Sequence, residues 1–347
     1  MAILVTGGLG YIGSHTIIEL LEKGLKPNDA LNAHNPSVSG SDIVVYDNLS
    51  GSNKDVINRI NNITGQDIIF VEGDIRDKHK LSEVFKTHNI ETVMHFAGLK
   101  SAGESVCNPL AYYDNNVCGT VCLLNAMKEN NVKRFIFSSS ASVYGIKNQP
   151  PMTEDMELST INPYGWTKIH IERILTDLCA SDNNWRVVAF RYFNVVGAHE
   201  SGLHGESPVG APANIAPYIS QTLAGIWDKF HLYGDDYDTP DGTCIRDYIH
   251  INDLSRGHIL ALSYLDNHTG LEVFNLGTGK GSSNKEVIEA FEKSAGKKLN
   301  YEITARRPGD PPVSYADVSK AEKFLGFKAA KNLADMCRDL WRWQNIK

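Results

Sequence analysis

The chain is predicted to be an α/β protein built on a doubly wound parallel sheet. Three features carry that prediction. Short apolar runs alternate with helical stretches, the first run leads straight into a glycine cluster, and the sequence changes character near residue 193. Ala2-Ile-Leu-Val-Thr6 opens the chain as a run suited to a buried parallel strand. Thr6-Gly-Gly-Leu-Gly-Tyr-Ile-Gly13 follows, and Ile17, Ile18, Leu20 and Leu21 then form the apolar face of a helix. Glycines between strand and helix let backbone approach a diphosphate seated on the helix N-terminus, as dinucleotide binding requires. The spacing reads as G-x-x-G-x-x-G through Gly7, Gly10 and Gly13, or as G-x-G-x-x-G from Gly8. The expectation is a Rossmann-like fold.

The next elements follow in order. Segment 26–41 is rich in Asn, Pro, Ser, Asp and Gly, lengthens a normally short connection, and reads as a surface insertion. Ile43-Val-Val-Tyr46 is the second strand, ended by Asp47 and Asn48. A carboxylate there accepts from a ribose 2′-OH and repels a 2′-phosphate, favouring NAD over NADP. Asp47 lies further from the glycines than the usual distance of about 20 residues, and the insertion accounts for the surplus. Strands are also expected at Ile68-Ile-Phe-Val71, Thr92-Val-Met-His-Phe96, Phe135-Ile-Phe137 and Val187-Val-Ala-Phe190, with helices over 80–88, 117–130 and 168–180. Gly73-Asp74-Ile75 follows the third strand, where an adenine ring would lie. Phe96, Ala97 and Gly98 follow the fourth with little bulk, allowing close cofactor approach, and Lys100 adds a cation.

Proton-transfer chemistry comes from Pro163-Tyr-Gly-Trp-Thr-Lys168. Tyr164 and Lys168 are four apart on a helix, so phenol and ammonium share a face. A free phenol has a pKa of about 10 and needs a neighbouring cation to serve as a base near neutrality. Ser138-Ser-Ser-Ala-Ser142 follows the fifth strand, and Ser140 is placed to hydrogen-bond a substrate oxygen beside Tyr164. Hydride transfer at the glycine-bound cofactor and proton transfer at Tyr164 together amount to oxidation of a secondary alcohol.

Beyond residue 193 the segment 199–217 reads as irregular loop, and Arg246, Arg306 and Arg307 precede a helix carrying Ala334, Cys337, Leu340 and Trp341. Arg246 and Arg307 suit a diphosphate, which a guanidinium binds bidentately. The expected division is a cofactor domain over 1–193, with part of 241–270 returning to it, and a smaller C-terminal α/β substrate lobe over 194–347.

Bulk properties narrow the function. The 347 residues are 42% hydrophobic and 22% charged, which excludes a disordered or fibrous chain. A net charge of −7 gives no nucleic-acid footprint. Without a long apolar run, nothing is expected to span a membrane, and the immediate entry into a strand leaves no room for a signal peptide. Six cysteines without C-x-x-C spacing are expected to be reduced thiols of a cytoplasmic protein, not disulfides or metal ligands.

With these residues in hand, the chain resembles the UDP-glucose 4-epimerases of the extended short-chain dehydrogenase/reductase superfamily, from the first strand to Trp343. The markers are the glycine cluster, His95-Phe-Ala-Gly-Leu-Lys100, Tyr112-Tyr-Asp-Asn-Asn116, the 138–145 loop, Pro163 to Lys168, Arg191-Tyr-Phe-Asn194, Arg246-Asp-Tyr-Ile-His250 and Arg306-Arg-Pro-Gly-Asp310. The resemblance implies a tightly held NAD, reduced and reoxidised within one turnover, and a 4-keto sugar that turns over in the site. It implies Tyr164 as acid/base, Lys168 lowering its pKa and holding the nicotinamide ribose, and Ser140 orienting the 4-oxygen. Tyr11, Ile12, Asp47, Asn48, Asp74, Ile75, Lys100 and Asn115 would contact NAD, with Phe193 beside the nicotinamide. Asn194, Asn214, Ile215, His231, Leu232, Tyr233, Arg246, Arg307 and Asp310 would hold the UDP-sugar. A homodimer built on the helices at 117–130 and 168–180 is expected by the same analogy.

Two departures from the family pattern stand out. Ala213-Asn214 replaces an Asn-Asn pair, and Ser314 stands where narrow-specificity bacterial members carry tyrosine. Serine leaves room for an N-acetyl group at C2, so UDP-GlcNAc and UDP-GalNAc are expected substrates beside the plain sugars. Two rival readings remain. A sugar-nucleotide 4,6-dehydratase needs a further acid and base, which related enzymes carry after the threonine of this loop; Ser140-Ala141-Ser142 has no carboxylate. A non-catalytic NAD(H)-binding sensor or scaffold has no need of Ser140, Tyr164 and Lys168 together.

Overall fold

The computed structural model describes residues 2–24, 38–208, 210, 212, 214–307 and 309–346. Most of the expected insertion, and Ala213, lie outside them. In chain order the elements are β1 (Ala2–Thr6), α1 (Tyr11–Lys23), β2 (Ile43–Asp47), α2 (Asp55–Thr64), β3 (Ile69–Glu72), α3 (Lys78–Thr87), β4 (Ile90–His95), α4 (Ala102–Cys107), α5 (Pro109–Tyr112) and α6 (Gly119–Glu129). There follow β5 (Arg134–Ser140), α7 (Pro163–Ser181), β6 (Arg186–Tyr192), β7 (Asn194–Val196), α8 (Ile215–Leu223), β8 (Phe230–Tyr233) and β9 (Ile245–His250). The last are α9 (Ile251–Asn267), β10 (Gly270–Leu276), β11 (Gly281–Ser283), α10 (Asn284–Ala295), β12 (Tyr301–Thr304), β13 (Val313–Ser314), α11 (Ser319–Leu325) and α12 (Leu333–Ile346). No described helix is long and apolar enough to cross a membrane.

Two compact units emerge. The first comprises Met1–Val143, Leu158–Arg191 and Ser255–Phe274; the second takes Tyr144–Glu157, Tyr192–Leu254 and Asn275–Lys347. The first holds a seven-stranded sheet in the order β10-β6-β5-β4-β1-β2-β3. β1 runs parallel to β2 and β4, β2 to β3, and β4 to β5. Thr6 is in register with both Tyr46 and His95, and His95 with Phe137. That register brings the loops after β1, β2, β4 and β5 to one edge of the sheet, where ligands of open α/β sheets bind. Leu4, Val44, Val93 and Phe135 are wholly buried with Leu123 of α6 and Leu175 of α7. Each such side chain contributes about 1.5–3 kcal/mol through burial.

The second unit has its own core, in which Leu232, Phe291, Cys337 and Trp343 meet. β9 pairs in parallel with β7 and β13 and antiparallel with β11.

Several boundaries differ from expectation for local reasons. β5 continues through Ser138, Ser139 and Ser140 because the Ser139 hydroxyl finds a buried acceptor in Glu172. α7 starts at Pro163, a residue that lacks the N–H an N1 position cannot use, and Asn162 caps it by accepting from Gly165 N. The loop expected to reach residue 217 ends at Asn214, the N-cap of α8.

Candidate active site

The glycine turn is shaped by contact. Gly7 has φ +69°, and a Cβ there would lie 2.5 Å from Ala97 N; one on Gly13 would lie 2.6 Å from Gly7 O. β1, α1 and the loop after β4 therefore meet backbone to backbone. α1 begins after Gly10 without a side-chain cap, so the helix N-terminus that Tyr11 and Ile12 open suits a diphosphate. Asp47 ends β2, nearly buried. Its Oδ2 accepts from Leu9 N at 3.1 Å, and its Oδ1 from Leu49 N at 2.9 Å and Ser52 Oγ at 2.8 Å. One carboxylate thus ties the glycine turn to the loop after β2, and Oδ2 retains a lone pair for a ribose hydroxyl. These features fit a dinucleotide.

Two expected cofactor residues also have partners within the chain. Asp74 is gripped by Arg76 at 2.9 and 2.7 Å and by Asn48 at 3.0 Å, and the Arg76 guanidinium holds its carboxyl well below the usual carboxylate range. The Ile75 side chain is buried against Gly119, leaving its backbone for a ligand.

A π-helical stretch, Tyr113–Cys118, precedes α6 and presents Asn115 and Asn116 side by side. Such stretches recur at functional sites. Asn116 is buried; its Oδ1 accepts from Leu99 N at 2.8 Å, and its Nδ2 donates to Leu99 O at 3.0 Å and Thr167 Oγ1 at 3.2 Å. It thereby fixes the loop of Phe96, Ala97, Gly98 and Lys100 against α7. Below it, His95 lies between Thr6 Oγ1 at 2.6 Å and Thr120 Oγ1 at 2.9 Å.

Tyr164, Lys168 and Glu172 follow one another at helical spacing on α7, facing the end of β5. Ser105 Oγ accepts from Tyr164 N at 3.1 Å, so the first turn of α7 is held from outside. Ser140 Oγ accepts from Ser142 N at 3.2 Å and Ser142 Oγ at 3.0 Å, which leaves its own proton to be donated. Burial pushes the Tyr164 phenol up, while the Ser140 hydrogen bond and the Lys100 charge act the other way. Lys168 Nζ donates to Ser138 O at 2.6 Å and lies 5.8 Å from the centre of the Tyr164 ring. Burial pushes its ammonium down to about 8, opposed by Glu172.

The second unit assembles most of the expected nucleotide residues around β8, β9 and β13. Arg246 Nη2 lies 3.6 Å from Asp310 Oδ1, and the Arg307 guanidinium lies 4.0 Å above the Tyr233 ring. His231 Nδ1 sits 3.0 Å from Glu302, while the Leu232 side chain is core, so only its backbone can face a ligand. Asn194 is exposed at the start of β7, Asn214 is exposed, Ile215 is half-buried, and Phe193 is buried. Ser314 on β13 pairs with Arg246 on β9. Buried Asp247 holds this arrangement, accepting from Thr278 N at 2.8 Å, Thr278 Oγ1 at 2.7 Å, Gly279 N at 3.0 Å and Ala316 N at 3.2 Å.

Sequence reasoning missed Ser105, Asn116, Glu172, Arg191 and Asp247. Each acts through a partner distant in sequence. Glu172, one turn after Lys168 on the same face, left a readable signal in its spacing, and Asn116, Arg191 and Asp247 stand inside the motifs that mark the family.

A family model described as GDP-mannose 4,6 dehydratase matches residues 4–340. The UDP-glucose 4-epimerase of Bacillus subtilis is 49% identical over 345 residues, spanning 99% of this chain and 97% of that one. Two solved structures superimpose over 100% of this chain and 98% of theirs. They are the UDP-glucose 4-epimerase of Stenotrophomonas maltophila with NAD and formylated UDP-arabinopyranose (44% identity, TM-score 0.93) and that of Bifidobacterium longum with NAD+ and UDP (47%, 0.92).

Burial, aided by the Lys168 charge, pushes the His95 imidazole down to about 3. The folded value lies below the unfolded one of about 6.5, so the unfolded chain takes up a proton that the folded chain refuses. Stability is therefore lost as pH falls below about 6.5, at about 1.4 kcal/mol per pH unit for one proton. Urea unfolding of His95→Gln between about pH 6 and 4 is expected to show a slope shallower by roughly one proton.

Proposed function

Because the chain belongs to the UDP-glucose 4-epimerase family, we propose that Tyr164, Lys168 and Ser140 carry out its reaction, the NAD-dependent epimerisation of UDP-sugars at C4. The observation that carries this assignment is the helical spacing that puts Tyr164 and Lys168 on one face of α7 at the end of β5, with Lys168 Nζ donating to Ser138 O at 2.6 Å and lying 5.8 Å from the centre of the Tyr164 ring. Tyr164 takes the proton of the sugar 4-OH and returns it after the 4-keto sugar has turned its other face. Bound NAD supplies the hydride acceptor and donor for C4 and, oxidised, a positive charge that favours the phenolate. Gly7, Gly10 and Gly13 admit its diphosphate, Asp47 its ribose, and the loop of Phe96 to Lys100 its nicotinamide half. Asn48, Asp74, the Ile75 backbone, Asn115 and Phe193 complete the set proposed for NAD. The Ser140-Ala141-Ser142 loop offers no carboxylate for water elimination, which sets the dehydratase reading aside.

A keto sugar that must turn over needs an anchor away from the chemistry, and nucleotide binding supplies it. Arg246, Arg307 and Tyr233 are the proposed anchor, with Asn194, Asn214, Ile215, His231, the Leu232 backbone and Asp310 around them. Ser314, beside Arg246, leaves room at C2 for an N-acetyl group. Residence in the cytoplasm is in keeping with six free thiols among the described residues. Exposed Val106, Leu110 and Trp166 on α4, α5 and α7 support a homodimer through the α6 and α7 side of the first unit.

Tyr164→Phe is expected to abolish turnover of UDP-galactose while the purified protein keeps its NAD; retained turnover would remove Tyr164 from the chemistry. Ser314→Tyr is expected to abolish conversion of UDP-GalNAc, followed by proton NMR, and to spare that of UDP-galactose. Equal loss of both would sink the pocket argument. Sedimentation should give twice the 38.4 kDa chain mass, and a monomer would refute the dimer.

A further inference from the structure

Glu172 is a buried carboxylate that the mechanism above does not use. Its Oε1 accepts from Ser139 Oγ at 2.5 Å and from Arg191 Nε at 3.1 Å, and its Oε2 accepts from Arg191 Nη2 at 2.7 Å. Both side chains of the ion pair are buried, 4% exposed for Arg191 and 6% for Glu172. The guanidinium comes from the end of β6, the neighbour of β5 in the sheet.

Consecutive serines on β5 meet successive turns of α7. Ser138 gives its carbonyl to Lys168 and Ser139 its hydroxyl to Glu172. A slip of α7 by one turn along β5 would break both contacts together. Stability alone is a weak reason for such a pair, since apolar residues of the same volume avoid the desolvation that two buried ions suffer.

The charges around Lys168 point the same way. Tyr164 faces it from α7, the Phe137 ring from β5 at 4.9 Å, and His95, kept neutral by burial, from β4. Lys100 bears on Tyr164 from the loop after β4. Among these described groups Glu172 is the one that brings negative charge to the ammonium, and Arg191 stands behind it. We propose that Glu172, clamped by Arg191 and Ser139, is a positioning residue of the epimerisation site: it fixes α7 on the end of β5 and supplies the buried counter-charge to the Lys168 ammonium. The proposal rests on the assignment of Tyr164 and Lys168 made above.

The test compares holoenzyme of the wild type, Glu172→Gln and the double variant Glu172→Met/Arg191→Met. For each, kcat and KM for UDP-galactose are measured across pH, with the thermal midpoint as a control. In Glu172→Gln the negative counter-charge is gone, so the ammonium is lost at lower pH. The alkaline limb of kcat is then expected to move down by about one pH unit or more, the effect of an opposite charge nearby, with KM unchanged. The double variant, which removes both ions of the pair, is expected to regain the thermal midpoint while its limb stays below the wild-type position. A double variant with wild-type midpoint, limb and kcat would show the pair to be purely structural and overturn the proposal, as would an unmoved limb in Glu172→Gln. Tyr164→Phe, run in parallel, separates the two layers. Its loss of turnover leaves the acid/base assignment standing whatever Glu172 does, and its retention brings that assignment down.

Discussion

The approach of β1, α1 and the loop after β4 to backbone contact is the constraint on which the cofactor side of the first unit is built. Gly7 admits Ala97 where any side chain would collide, and Gly13 admits Gly7 in the same way. With no side chains between them, the backbone of the turn reaches the helix N-terminus directly, the arrangement that suits an anionic diphosphate. Asp47 extends it by holding Leu9 N and Leu49 N on one carboxylate. The cost of close approach falls on a few glycines, and the hydrophobic strands behind them stabilise the arrangement.

A second theme is how this unit manages polar groups that it buries. His95, Asn116, Thr120 and Thr167 form a connected set between β4, the π-helical stretch and α7, with hydrogen bonds of 2.6 to 3.2 Å. Such a network, when satisfied, holds one geometry, since each broken bond would strand a desolvated group. The Ser139, Glu172 and Arg191 cluster does the same on the other side of Lys168. Tyr164 and Lys168 thus stand on a helix fixed at its first turn by Asn162 and Ser105 and further along by Glu172. The second unit uses the device once more: Asp247, beside Arg246 in sequence, gathers the 278–279 turn and the strand end at Ala316 onto one carboxylate.

Much of this was legible in the chain. The apolar runs at β1, β2 and β4 and the glycines after β1 specify strand, turn and helix locally, because burial on both faces and close backbone approach leave few alternatives. Tyr164 and Lys168 were legible because helical spacing alone puts them on one face. Ser138 to Ser140 were read as a loop, since three serines in a row suit capping and turns. Glu172 supplies the buried acceptor that lets them remain in the strand, and nothing near residue 139 announces it.

By itself, the sequence determined the α/β class, the glycine turn after the first strand, the shared helix face of Tyr164 and Lys168, and the family, for each depends on neighbours within a few residues or on a linear motif. Only tertiary structure decided the surroundings of the expected contacts. It packed the Ile75 and Leu232 side chains into core, paired Asp74 with Arg76, and placed Ser314 beside Arg246. It also decided the electrostatics of the site. Whether a phenol or an ammonium is raised or lowered depends on burial and on charges brought from distant strands, and spacing along the chain carries no record of either.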